Sequence, residues 1–175
     1  MSASWIDYAG YQGCVALENA DARVVLGPHV GGRVLEYAWR GENALWLDPE
    51  HNGVTVEPGQ RTPLLFPSGG RFDIGPELIL PKRPELWVGP WEAAITGPSA
   101  ARMTSAPSPT VGVQLTRDFS LAAEGSHLAC TQTVRNVSDR STRCNYWART
   151  FGRGHGIAVV PLTPELSRFP HQYVM

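Results

Sequence analysis

The chain has 175 residues and a net charge of −1, with 15 Lys and Arg against 16 Asp and Glu. That size suits one ordinary domain, and the balance excludes the basic excess of a nucleic-acid binder and the basic amphipathic helix of a membrane-surface protein. Gly (18) and Pro (15) make up roughly a fifth of the residues, against about an eighth usually. They are spread without a repeat, which excludes collagen-like and low-complexity chains and fits many short strands joined by turns.

The opening stretch MSASWIDYAGYQG has no basic segment followed by an apolar run, so no secretory signal is read there. Apolar runs elsewhere fall far short of the roughly 20 residues that cross a bilayer. A cytoplasmic location without a membrane partner is the expectation, and the sequon Asn136-Val137-Ser138 is discounted with it. Cys14, Cys130 and Cys144 form neither a disulfide framework nor a CxxC pair, and read as small strand residues.

Val15 and Leu17 alternate with Ala16 and Glu18, and the β-branched run over 22–26 ends at Gly27-Pro28. Leu35, Tyr37 and Trp39 are expected on one strand face, opposite Val34, Glu36 and Ala38. A turn at Gly41-Glu42-Asn43 precedes a possible strand over 44–47. Residues 48–90 are rich in Pro and Gly and lack periodicity, and a connection this long is usually functional. Phe66, Phe72, Leu78, Trp87 and Trp91 argue that it packs on the sheet. Strands are expected over 92–96 and 102–105.

The strongest unit is an antiparallel hairpin over about 110–137. Val111, Val113 and Leu115 set a phase that Phe119 and Leu121 continue. Glu124-Gly125-Ser126 makes the turn, and Leu128, Cys130 and Val134 share a face on the return. A further strand is expected over 157–160, and one helical turn at Thr163-Pro164-Glu165. The apolar end, 168–175, either packs as a last strand or marks a fragment of a longer domain. The fold class is all-β: an antiparallel β-sandwich with long Gly/Pro-rich loops, one domain over 1–175.

Two triplets stand out, Gly31-Gly32-Arg33 and Gly69-Gly70-Arg71. Glycine pairs allow close backbone approach, and the Arg that follows offers a planar fork of donors. The first reads more readily as a turn with a surface Arg. The second opens a stretch, 69–91, that collects Arg71, Asp73, Glu77, Lys82, Arg83, Glu85, Trp87 and Trp91. Aromatic rings against sugar C–H faces, with carboxylates and Arg on hydroxyls, make a carbohydrate site. Trp is the specific excess, at six residues, although Trp39, Trp46 and Trp147 read first as core anchors. Alternation over 145–149 places Asn145, Trp147 and Arg149 on one face, an unusual set for a core. His155, between two glycines, reads as an exposed loop residue, and the five His show no metal-ligating spacing. The GxGxG run at 152–156 lacks the strand-and-helix setting of a dinucleotide site. No cofactor or metal is expected.

The run Gly31-Gly32-Arg33-Val34 with Trp39, Gly41, Asn43 and Leu45 resembles the opening strands of the galactose mutarotase-like family. Residues 115–121 and 133–139 (LTRDFSL and TVRNVSD) resemble its central strands, and Gly69-Gly70-Arg71 stands about where that family has a Gly-rich active-site loop. The resemblance spans roughly residues 10 to 160. It implies an antiparallel β-supersandwich, here incomplete and cut short at the C-terminus, and a small-molecule sugar as partner. The family's aldose 1-epimerases interconvert anomers: a carboxylate takes the anomeric hydroxyl proton while a His protonates the ring oxygen.

This chain departs from that pattern. Cys144-Asn145-Tyr146-Trp147 stands where the family presents a His, and the chain stops before the late catalytic Glu. The implied function is carbohydrate binding without the full epimerase machinery, through Arg71, Asp73, Trp87, Asn145, Trp147 and Arg149. An epimerase would use Asp73 or Glu77 as base and His155 as acid. The third reading is a structural or interaction β-domain. An incomplete sandwich exposes sheet edges, from which a homodimer is expected.

Overall fold

Alternating apolar and polar residues between Gly- and Asn-containing turns give eleven strands among the described residues. The computed structural model describes residues 1–57, 68–157 and 159. The strands are β1 (Ser2–Tyr8), β2 (Tyr11–Glu18), β3 (Ala22–Gly27), β4 (Arg33–Trp39), β5 (Glu42–Asn43), β6 (Gly70–Gly75), β7 (Trp91–Gly97), β8 (Ala100–Ser105), β9 (Val113–Leu121), β10 (Leu128–Asn136) and β11 (Asn145–Thr150). One helical turn, α1, spans Pro84–Trp87. The larger sheet has the order β1-β2-β3-β4-β6-β11, with β5 on β4, and the smaller one β10-β9-β8-β7. The pairings are antiparallel throughout. The protein is an all-β sandwich.

Val15, Leu17, Val24, Leu26, Phe72 and Ile74 of the larger sheet meet Met103, Leu115, Phe119 and Leu121 of the smaller one in a single core. Each such side chain contributes roughly 1.5–3 kcal/mol on burial. The larger sheet is covered on its outer face as well. Tyr11, Cys14, Val25 and Leu35 form a second cluster there with Val56 and Val88, from the long segment between β5 and β7.

The hairpin expected over 110–137 is β9 and β10, with Leu121 opposite Leu128 and Val113 opposite Asn136. Arg117 keeps the phase of Leu115 and Phe119 and is buried with them. The strands expected over 92–96 and 102–105 are β7 and β8. Three expectations need correction. Residues 44–47 form no strand; Leu45 makes a single bridge to Gly152. Leu35, Tyr37 and Trp39 do not share a face, because the β3–β4 register shifts between Val25 and Leu26. That bulge sends Leu35 to the outer cluster and Tyr37 to the inter-sheet core. Trp39 and Trp46 are not core anchors, being 41% and 44% exposed; Trp91 is the buried one.

The segment over 48–90 contains a whole strand, β6, in the interior of the larger sheet. All six of its residues are buried. Phe66, the helical turn at 163–165 and the apolar end over 168–175 lie outside the described residues, as do residues 158 and 160 of the strand expected over 157–160.

Candidate functional site

The two Gly-Gly-Arg triplets lie side by side, with Val34 paired to Gly70. Three of their four glycines are required by geometry: a Cβ on Gly31 (φ 71°) would strike the Trp87 carbonyl. A Cβ on Gly32 (φ 57°) would strike the Trp91 ring, and one on Gly69 (φ 62°) would strike the Val34 carbonyl oxygen. Arg117 reaches across from the smaller sheet and donates from Nη1 to the carbonyls of Gly32 (2.8 Å) and Gly70 (3.1 Å). Arg33 is fully buried, not at the surface. It donates to the carbonyls of Val30 (3.0 Å), Ser68 (2.7 Å) and Trp87 (3.4 Å).

In β6, Phe72 and Ile74 point into the core. Arg71 and Asp73 therefore point to the outer face. There β11 pairs with β6, setting Arg149 opposite Arg71, Trp147 opposite Asp73 and Asn145 opposite Gly75. Gly75 leaves the space that the Trp147 ring occupies. After β6 the chain turns at Pro76, whose carbonyl accepts from the backbone N–H of Ile79 and Leu80. It returns through Arg83 to α1, with Pro84 at the first helical position. This return covers the outer face of β6 and leaves Arg71, Asp73 and Arg83 each 5% exposed or less.

Two groupings result. In the first, Arg83 holds Asp73 with both ends of its fork, Nε to Oδ1 at 3.0 Å and Nη2 to Oδ2 at 3.1 Å. Arg83 also donates to the carbonyls of Pro81 and Ile74, and the Ile74 N–H donates to Asp73. Burial pushes the Asp73 carboxyl above its ordinary range, while the Arg83 and Arg71 charges pull it back. In the second, the Glu77 carboxylate bridges Arg71 (3.5 Å) and Arg149. Arg71 lies 4.8 Å from the Trp87 ring centre and Arg149 lies 5.3 Å from that of Trp147, both within cation–π reach. Burial draws the Arg71 guanidinium below its ordinary value, Asp73 opposes this, and Arg149 adds to it. Arg71 Nε and Trp147 Nε1 are shielded from solvent and lack a hydrogen-bond partner among the described residues.

Of the predicted site residues, Arg71, Asp73, Glu77, Trp87, Trp147 and Arg149 thus come together. Asn145 shares their face but is exposed at the far end of β11. His155 stands apart, in a left-handed loop (φ 66°) past the Leu45–Gly152 bridge. It makes no hydrogen bond or ion pair with Asp73 or Glu77 among the described residues. Glu85, from the same stretch, bonds Ser108 instead. A groove of about 290 Å³ lies nearby, lined by Val56, Glu57, Pro84, Glu85, Gly89 and Pro107; none of Arg71, Asp73, Glu77, Trp87, Trp147 and Arg149 lines it.

No family model, curated protein or solved structure matches this chain. What the site can do is therefore argued from its own geometry. From the sequence, Arg33 reads as a surface residue and Arg83 only as one charge of the 69–91 stretch, and Arg117 is not singled out. Arg117 carried one signal, a charge in phase with the buried face of a strand. Among the described residues, no group of three His, Cys, Asp or Glu could hold a metal ion, and no helix is long and apolar enough to cross a membrane.

Proposed function

We propose that this chain is a carbohydrate-binding protein related to the galactose mutarotase-like family, and that its sugar sits on the outer face of β6 and β11. One observation carries the reading: Arg71 and Arg149 stand side by side, each laid along a Trp ring, with Glu77 across both. Guanidinium forks donate to neighbouring hydroxyls, a carboxylate accepts from them, and the Trp rings supply flat apolar faces. The patch reaches solvent through Glu77 and Arg149, whose side chains are 41% and 37% exposed.

Binding without anomer interconversion fits the groups better than epimerase chemistry. An acid–base pair must share a substrate within hydrogen-bond reach. Asp73 is held by Arg83, and among the described residues His155 makes no hydrogen bond or ion pair with either carboxylate. The test is proton NMR of the purified protein with a panel of aldoses, with exchange spectroscopy on the anomeric signals. Line broadening without faster exchange is the expected result. Exchange faster than in buffer makes the chain an epimerase instead. If no sugar produces either effect, the interaction-domain reading replaces this one.

A further inference from the structure

Arg71 and Arg149 are direct cross-strand neighbours, and like charges so placed repel. Asp73 offsets part of the charge on Arg71 through space, but both of its oxygens are hydrogen-bonded by Arg83, so it does not bridge the pair. The carboxylate that spans the pair is Glu77. These five side chains carry three positive and two negative charges, so the cluster keeps a net positive charge with Glu77 in place and doubles it with Glu77 gone. Its unpartnered shielded atoms, Arg71 Nε and Trp147 Nε1, are both donors. Arg71 is 5% exposed, so its Nε does not meet bulk water, and a ligand acceptor would satisfy it.

Glu77 itself is lightly held. Its exposed neighbours Leu78 and Ile79 (98% and 78%) leave the tip of this turn without an apolar anchor. A carboxylate on an exposed tip, bridging two guanidiniums on a rigid pair of strands, has the chemistry of a resident stand-in for an external carboxylate. Arg–carboxylate pairs are strong and geometrically selective. We propose that the site takes an acidic sugar, a uronate or aldonate, whose carboxylate displaces Glu77 from Arg71 and Arg149 while the ring meets Trp147 and Trp87. This rests on the sugar-binding reading and adds the class of sugar.

Isothermal titration calorimetry tests it, with glucuronate and galacturonate against glucose and galactose, and acetate as a plain carboxylate. Uronates are expected to bind about ten-fold more tightly than the parent aldoses, and far more tightly than acetate. Glu77→Gln removes the internal competitor, so it tightens uronate binding several-fold and weakens aldose binding, where Glu77 is an acceptor for hydroxyls. Arg149→Met abolishes the preference for the acid. Circular dichroism establishes that each variant is folded. Aldoses binding as well as uronates, or Glu77→Gln weakening uronates, overturns the acidic-sugar proposal and leaves the sugar site standing. Acetate binding as tightly as glucuronate overturns the sugar component and leaves an anion site. Binding of none of these probes overturns both.

Discussion

Gly31-Gly32-Arg33 and Gly69-Gly70-Arg71 are the same three residues at the entrance to two paired strands, yet they lead to different chemistry. Their glycines do common work. Gly32 and Gly69 each permit an approach that a Cβ would block, and one side chain, Arg117, grips a carbonyl from each triplet. The arginines diverge because of what lies above them. Arg33 lies under the α1 segment and satisfies backbone carbonyls from three separate stretches, so it acts as an internal tie. Arg71 lies one strand nearer the sheet edge, where β11 brings a second Arg and the turn after β6 brings a carboxylate. A short motif thus prepares a backbone, and the neighbouring strand decides whether its Arg becomes scaffold or site.

The largest effect expected from breaking this arrangement is at Asp73, two residues beyond the second triplet. Asp73→Asn leaves Arg83 with its charge buried and uncompensated, which costs about 3–5 kcal/mol. The double variant Asp73→Asn with Arg83→Met removes both charges and recovers most of that loss. Urea denaturation of the three proteins measures it. A single variant within about 1 kcal/mol of the parent would return Asp73 to the list of groups free for chemistry.

The two arginines themselves give the next largest contrast. Arg33→Met strands the carbonyls of Val30, Ser68 and Trp87, a loss of about 3 kcal/mol at roughly 1 kcal/mol per buried acceptor. Arg71→Met gives up a long ion pair and a stacked ring, a loss of about 1 kcal/mol, since the Glu77 carboxylate left behind can still be hydrated. Sugar binding is expected to disappear with Arg71 and to survive in whatever fraction of the Arg33 variant is folded. Equal stability losses, measured by thermal denaturation, would erase the distinction between tie and site.

The residues of the site were more legible than the strand that carries them. Arg71, Glu77 and Trp87 declare themselves by type, charge and tryptophan gathered in a stretch too long for a plain connection, and Arg149 by sharing one strand face with Asn145 and Trp147, although Trp147 reads first as a core anchor. The β9–β10 hairpin was legible because one face of each strand meets water, so apolar and polar residues alternate. β6 does alternate, with Phe72 and Ile74 on the core and Arg71 and Asp73 under the α1 segment. The alternation runs over only four residues between Gly70 and Gly75, inside a Pro- and Gly-rich stretch, too short to stand out as a strand. The β4 bulge and the Asp73–Arg83 pair were hidden for another reason. Each depends on how a neighbouring segment returns, at β3 in one case and through the turn at Pro76 in the other.

The smallest effect is a pH dependence around the first triplet. Tyr11 and Cys14 are buried beside Arg33's end of the outer cluster, and burial raises them to about 12 and about 11 from ordinary values near 10 and 9. Tyr8, raised to about 12 by burial and then by Glu36, behaves alike. All three fold in their protonated forms. Their contribution is complete below pH 9 and is lost as pH rises toward 12, because the unfolded chain releases these protons first. Arg33 runs the other way: burial, then the Arg71 charge, draws its guanidinium down to about 9, so the folded form sheds that proton first and gains stability over the same window. Three groups against one leave a net fall of about 1 kcal/mol by pH 10. Removing the opposing group should steepen the fall, so urea midpoints of Arg33→Met should drop faster between pH 8 and 11 than those of the parent. Arg71→Met, which relieves Arg33 of a neighbouring charge, should change the slope far less. A flat midpoint in all three proteins would mean that Tyr8, Tyr11 and Cys14 meet water in the folded chain, and that the outer cluster is looser than the inter-sheet core.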